Sequence, residues 1–157
     1  MISDNQAKDE WCRHGEVLEN EFIARYGELL QLQINPEKAT NKYAPDLTHP
    51  CGIADLKTQA TPFRTAGRYG IPTERAVTFN RKDAVRYYQN YPEIHLYFWV
   101  RFLNPSVIYT IGFDELVPIL KDAPTHTYQQ RKGDTSGNAR ESFVLDTNQL
   151  IFLMEAT

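Results

Sequence analysis

The residues with the clearest chemical capacity lie between Tyr43 and Ala60, in "YAPDLTHPCGIADLKTQA". Side chains alternate along a strand, so Ile53, Asp55, Lys57 and Gln59 share one face, and Ala54, Leu56 and Thr58 take the other. A neighbouring strand can bring Asp46 opposite them. Two carboxylates, an ammonium and an amide then share one pocket. Carboxylates suit a hard divalent ion such as magnesium, which takes oxygen ligands and keeps waters for its substrate's phosphates. A lysine beside such an ion can steady charge building on phosphorus or orient an attacking water. The residue types fit metal-assisted phosphodiester hydrolysis. The plain alternative is a same-face ion pair between Asp55 and Lys57 on a solvated strand, worth well under about 1 kcal/mol.

The elements that must position these residues can be read on either side. Asp4 to Leu30 reads as one long helix. With Trp11 at zero and about 100° per residue, an apolar arc collects Trp11, Gly15, Leu18, Phe22, Tyr26 and Leu29, and Ile23 and Leu30 extend it. Glu19 falls at about 80°, inside that arc. A glutamate on a buried face is costly unless paired or bound to a cation, so Glu19 joins the candidate set, with snorkelling outward or pairing to Arg25 or Lys57 as the other readings. Gly27 and "NPEKATN" mark the helix exit and a loop. "KYAPDL" and "GIADLKTQAT" follow as strands around the turn residues "THPCG". "PFRTAGRYGIPTER" is a loop, "AVTF" a short strand, and Asn80 the N-cap of "RKDAVRYYQNY". "IHLYFWVRF", apolar on both faces, reads as a central strand, and "SVIYTIGF" as another. "DELVPILKDA" is a short helix, "PTHTYQQRKGDTSGNARE" a polar loop, "SFVLDT" a late strand and "NQLIFLM" a short terminal helix or strand. The order α-β-β-(β)-α-β-β-α-β implies an α/β fold, a mixed β-sheet flanked by helices.

The remaining features narrow the class. The 157 residues are 41% hydrophobic and 24% charged with net charge −3, as for a soluble globular chain forming one domain over 1–157. That charge weighs against a protein that coats nucleic acid passively. No apolar run is long enough to span a bilayer. "MISDNQAKDE" has no signal-peptide core, so a cytoplasmic location is expected. Cys12 and Cys51 lack metal or redox spacing and read as reduced thiols. His14, His49, His95 and His126 show no zinc spacing; His49 reads as a turn residue that could also touch substrate. Arg64, Arg68, Arg75, Arg81, Lys82 and Arg86 cluster after the acidic hairpin, interleaved with Phe63, Tyr69, Tyr87 and Tyr88. They could track phosphates or simply cover a solvated face. "QQRKGDTSGNAR" reads as a flexible basic loop, and "YFWV" and "IFLM" as core or interface strips.

"HGEVLENEF" on the first helix, "PDL" on one strand and "ADLKTQ" on the next resemble the PD-(D/E)xK nuclease superfamily, which includes restriction endonucleases, Holliday-junction resolvases and phage recombination nucleases. The likeness covers roughly Gly15 to Gln59, departs in having Asp rather than Glu at position 55, and rests on element order alone from Ala76 onward. It implies a restriction-endonuclease-like fold and a catalytic set of Glu19, Asp46, Asp55 and Lys57, with Gln59 as a weaker match. It further implies Mg²⁺ or Mn²⁺ held by Asp46, Asp55, Glu19 and the main-chain carbonyl of Leu56. The expected activity is endonucleolytic hydrolysis of DNA, RNA not excluded, leaving 5′-phosphate ends. Arg64, Arg68, Arg81, Lys82 and Arg86 are the candidate nucleic-acid contacts. Cutting both strands would call for a homodimer. The alternative class is an inactive nuclease-fold binding protein, such as a phage-encoded inhibitor of host defence or an assembly subunit.

Overall fold

A computed structural model of the chain describes residues 4–128 and 140–156, with side chains from residue 16 onward except at 140. The side chains of Trp11, Cys12 and His14, and most of the "QQRKGDTSGNAR" loop, lie outside what it describes. The chain forms two compact units, one running to Ala54 and the other from Asp55 onward.

In the first unit, α1 spans Asp4–Leu30, the expected helix. Its packed arc centres on Phe22 and Tyr26, 0% and 5% exposed, whose rings meet edge to face at 5.4 Å. Leu29, expected in that arc, is 68% exposed. Gly27 is not the exit. It lies inside the helix, where an added Cβ would come within 3.0 Å of the Leu32 carbonyl oxygen. The chain leaves the helix at Gln31, which takes a left-handed φ of 58°, while the Leu32 N–H returns to the Gly27 carbonyl at 2.8 Å.

A two-residue strand β1 (Gln33–Ile34) follows, then a 3₁₀ turn over Pro36–Ala39, then β2 (Leu47–His49). The strand expected over Lys42–Leu47 is mostly a turn. Asn41 sets it, since its side chain accepts from the Tyr43 N–H and its carbonyl from the Ala44 N–H. β2 pairs antiparallel with the start of β3 (Gly52–Gln59), Leu47 facing Ala54 and His49 facing Gly52.

The second unit holds the rest of β3, then β4 (Ala76–Asn80), α2 (Arg81–Asn90), β5 (His95–Val100), β6 (Ser106–Gly112), α3 (Phe113–Asp122), β7 (Thr125–Tyr128), β8 (Arg140–Asp146) and β9 (Ile151–Ala156). Strand order is β1-β2-β3-β5-β6-β9 in a six-stranded sheet and β4-β8-β7 in a three-stranded one. The fold is thus α/β, with a central sheet and helices between its strands. β5 is interior, as its composition indicates, and Leu96 to Val100 are all buried. Asn80 caps α2, accepting from the Lys82 N–H at 2.8 Å. Phe79, Tyr87, Phe98 and Phe113 form an aromatic core beside it.

Two readings of this part are corrected. β7 lies in the segment expected as loop; it is the edge of the small sheet, mostly exposed, so polar residues cost it nothing. For "IFLM", read as core or interface, the core half is excluded, because Ile151, Phe152 and Leu153 on the sheet-edge strand β9 are 51%, 59% and 37% exposed.

Candidate active site

In the first unit, Glu19 and Asp46 meet at a lysine that sequence reasoning had not singled out. The Lys38 ammonium lies 2.9 and 3.1 Å from the two Glu19 carboxylate oxygens and 2.5 Å from Asp46 Oδ1. Glu19 is therefore paired, as its place on the buried arc requires, but with Lys38 rather than Arg25 or Lys57. Asn35 builds the geometry. It is 3% exposed, and its side chain accepts from the Glu37 N–H at the head of the 3₁₀ turn while donating to the Pro45 carbonyl. Its own N–H donates to the Asp46 carbonyl at 3.0 Å. One capped turn thus aims Lys38 and anchors Asp46 together. Burial opposes the charge on Lys38, but hydrogen bonds to Asp46 and Glu19 outweigh it and hold the ammonium above the ordinary lysine value.

In the second unit, Asp55 is 2% exposed on β3. The Tyr87 hydroxyl donates to its Oδ2, and Lys57 reaches the same oxygen at 3.1 Å. The Lys57 ammonium also meets Asp83 Oδ2 at 2.6 Å and stands 5.2 and 5.6 Å from the ring centroids of Tyr87 and Phe79. Asp83 in turn takes Arg86 Nη2 at 3.3 Å. Asp55 and Lys57 do share a face, so the alternation read from the sequence holds. Glu19 and Asp46 thus share the Lys38 ammonium, and Asp55 and Asp83 share that of Lys57. Among the described residues, no three His, Cys, Asp or Glu side chains gather as a metal site.

Gln59 serves the scaffold. Its oxygen accepts from the Thr78 N–H at 3.2 Å and its amide donates to the Thr61 carbonyl at 2.8 Å, tying β3 to β4. The Leu56 side chain is buried. Arg64, Arg68, Arg81 and Lys82 are exposed, although Arg81 is held by Glu141 at 2.6 Å and Arg75 by Asp146. Of the interleaved aromatics, Phe63 and Tyr87 are core, and Tyr88 is 67% exposed. His49 ends β2 rather than sitting in the turn, and its Nδ1 accepts from the Cys51 N–H.

Sequence reasoning missed Lys38 and Asp83, and it placed Tyr87 among the interleaved aromatics rather than on Asp55. The "NP" before Lys38 is a helix-start signal, and Asp83 stands three residues after its N-cap, where a carboxylate is favoured. Neither signal names a tertiary partner.

No family model matches the chain, and no curated protein matches it. A solved structure similar to it is that of D212, a nuclease from a fusselovirus, at 12% identity and a TM-score of 0.48, over 99% of this chain and 91% of that one.

Proposed function

We propose that this protein is a metal-dependent endonuclease of the PD-(D/E)xK type, hydrolysing phosphodiester bonds in DNA. The observation that carries the reading is Asp55, a carboxylate 2% exposed in mid-strand with the Lys57 ammonium 3.1 Å away. Burying a charge there costs several kcal/mol before its partners respond, and an apolar residue would pack the strand without that cost. A carboxylate and a lysine held on one strand face suit hydrolysis of a phosphodiester.

The donor chemistry fits a hard divalent cation. All the donors are oxygens, and magnesium is commonly held by one or two carboxylates plus waters and substrate phosphates. The proposed ligands for Mg²⁺ or Mn²⁺ are Asp46, with Glu19 direct or through water, in the first unit, and Asp55 with the Leu56 carbonyl in the second. Such an ion supplies Lewis acidity to the phosphoryl oxygens. Lys57 orients the attacking water and stabilises charge on the pentavalent phosphorus. Asp83, 2.6 Å from that ammonium, limits where it can point. Arg64, Arg68 and Lys82 are the side chains most available to phosphates.

The test is cleavage of single-stranded, duplex and branched DNA with Mg²⁺ and with Mn²⁺, wild type beside Lys57→Ala. The variant should lose on the order of 100-fold in saturated rate while still binding DNA. Wild type that cuts none of these under either metal defeats the reading. The second reading, a binding protein on the same fold, draws on the acidic partners that Arg81 and Arg86 already have. It expects no need for a divalent ion.

A further inference from the structure

We propose that Lys38 is an internal counterion, holding Glu19 and Asp46 together in the metal-free protein and leaving them when a divalent cation enters. The inference rests on the metal-dependent reading above. An ammonium has three N–H donors and no acceptor, and Lys38 Nζ makes three contacts of 2.5–3.1 Å, all to carboxylate oxygens of these two residues. The side chains of Lys38, Glu19 and Asp46 are 21%, 15% and 21% exposed, so the cluster is shielded but not sealed.

Without a cation, two carboxylates this close repel, and burial sharpens the repulsion. Lys38 removes that penalty. The same oxygens are the ones a hard cation needs, so ammonium and metal compete for them.

The segment is built so that the exchange needs no backbone movement. Asn35 fixes the 3₁₀ turn under Lys38 and, through its N–H, the Asp46 carbonyl. Four rotatable side-chain bonds then suffice to carry the ammonium to solvent. A lysine present only for packing would behave oppositely, since its removal would loosen the carboxylates and weaken metal binding.

The experiment uses the full chain stripped with EDTA, titrated with Mn²⁺ by calorimetry and followed by thermal melting. Lys38→Gln and Lys38→Met should melt lower than wild type without metal, bind Mn²⁺ roughly tenfold more tightly, and gain more in melting temperature on saturation. Lys38→Arg, which keeps the charge, should stay near wild type. Equal or weaker Mn²⁺ binding by both neutral variants overturns the proposal while leaving the metal reading intact. Binding by neither wild type nor variants overturns both. On the wild type alone, saturating Mg²⁺ should move the Lys38 ammonium ¹⁵N resonance to that of a solvated lysine. A resonance that stays in place overturns the proposal even if every variant misfolds.

Discussion

Asp55 sits where a carboxylate must be answered by donors, and the Tyr87 hydroxyl is one of them. Tyr87 is fully buried, on a helix whose cap and first turn are set by Asn80. Its ring packs against Phe79 and Phe113 whether or not the hydroxyl is present. Tyr87→Phe therefore removes a donor with almost no change in packed volume. A buried acceptor that loses a partner costs about 1–3 kcal/mol, so urea unfolding of Tyr87→Phe should fall by that amount with m unchanged. A loss under about 0.3 kcal/mol would mean that other donors compensate fully. The same change frees Lys57 from competition for Asp55 Oδ2, while its contact with Asp83 is untouched.

At the scale of elements, Asp146 shows how a strand end is locked. It closes β8, caps the 3₁₀ turn Thr147–Gln149 and takes Arg75 through two parallel contacts of 3.1 Å. Burial opposes its charge, but the hydrogen bonds from Arg75 and from the Asn148 N–H outweigh it and hold the carboxyl below its ordinary value. The unfolded chain is then protonated first, near pH 3.9. The stabilisation is complete above that pH and is lost as pH falls through the lower folded value. Asp146→Asn keeps the cap, costs under about 1 kcal/mol at neutral pH, and should flatten the acid limb of a stability–pH curve below about pH 4. An unaltered limb would assign acid sensitivity to other groups. Elements whose signals are local were legible in the sequence: α1 from its apolar period, α2 from Asn80, β5 from its unbroken apolar run. Asp55 and Lys57 were legible as neighbours because alternation along one strand is local too. β7 was missed because an edge strand can be as polar as a loop. The contacts of Lys38, Asp83 and Tyr87 were missed because pairings across 19, 26 and 32 residues leave no periodic trace.

At the scale of the whole molecule, the proposed activity asks a chain of net charge −3 to approach a polyanion. Its capacity to do so depends on which cations are not already neutralised. Arg81 is bound to Glu141, Arg75 to Asp146 and Arg86 to Asp83. An arginine that must abandon a carboxylate to reach phosphate frees a repelling charge as it does so, which offsets its gain. Arg64 and Arg68 are exposed and, among the described residues, make no ion pair. Each phosphate neutralised on duplex DNA contributes about 0.9 to the slope of log affinity against log salt. The double variant Arg64→Ala, Arg68→Ala should therefore lower that slope by roughly two units, and Arg81→Ala by well under one. Fluorescence anisotropy with labelled duplex in EDTA, where no cleavage intervenes, measures both. A full-unit loss in Arg81→Ala would mean that the Glu141 pair opens on binding. An unchanged slope in the double variant would place the DNA path away from the loop that follows β3, and Arg64 and Arg68 would leave the list of contacts.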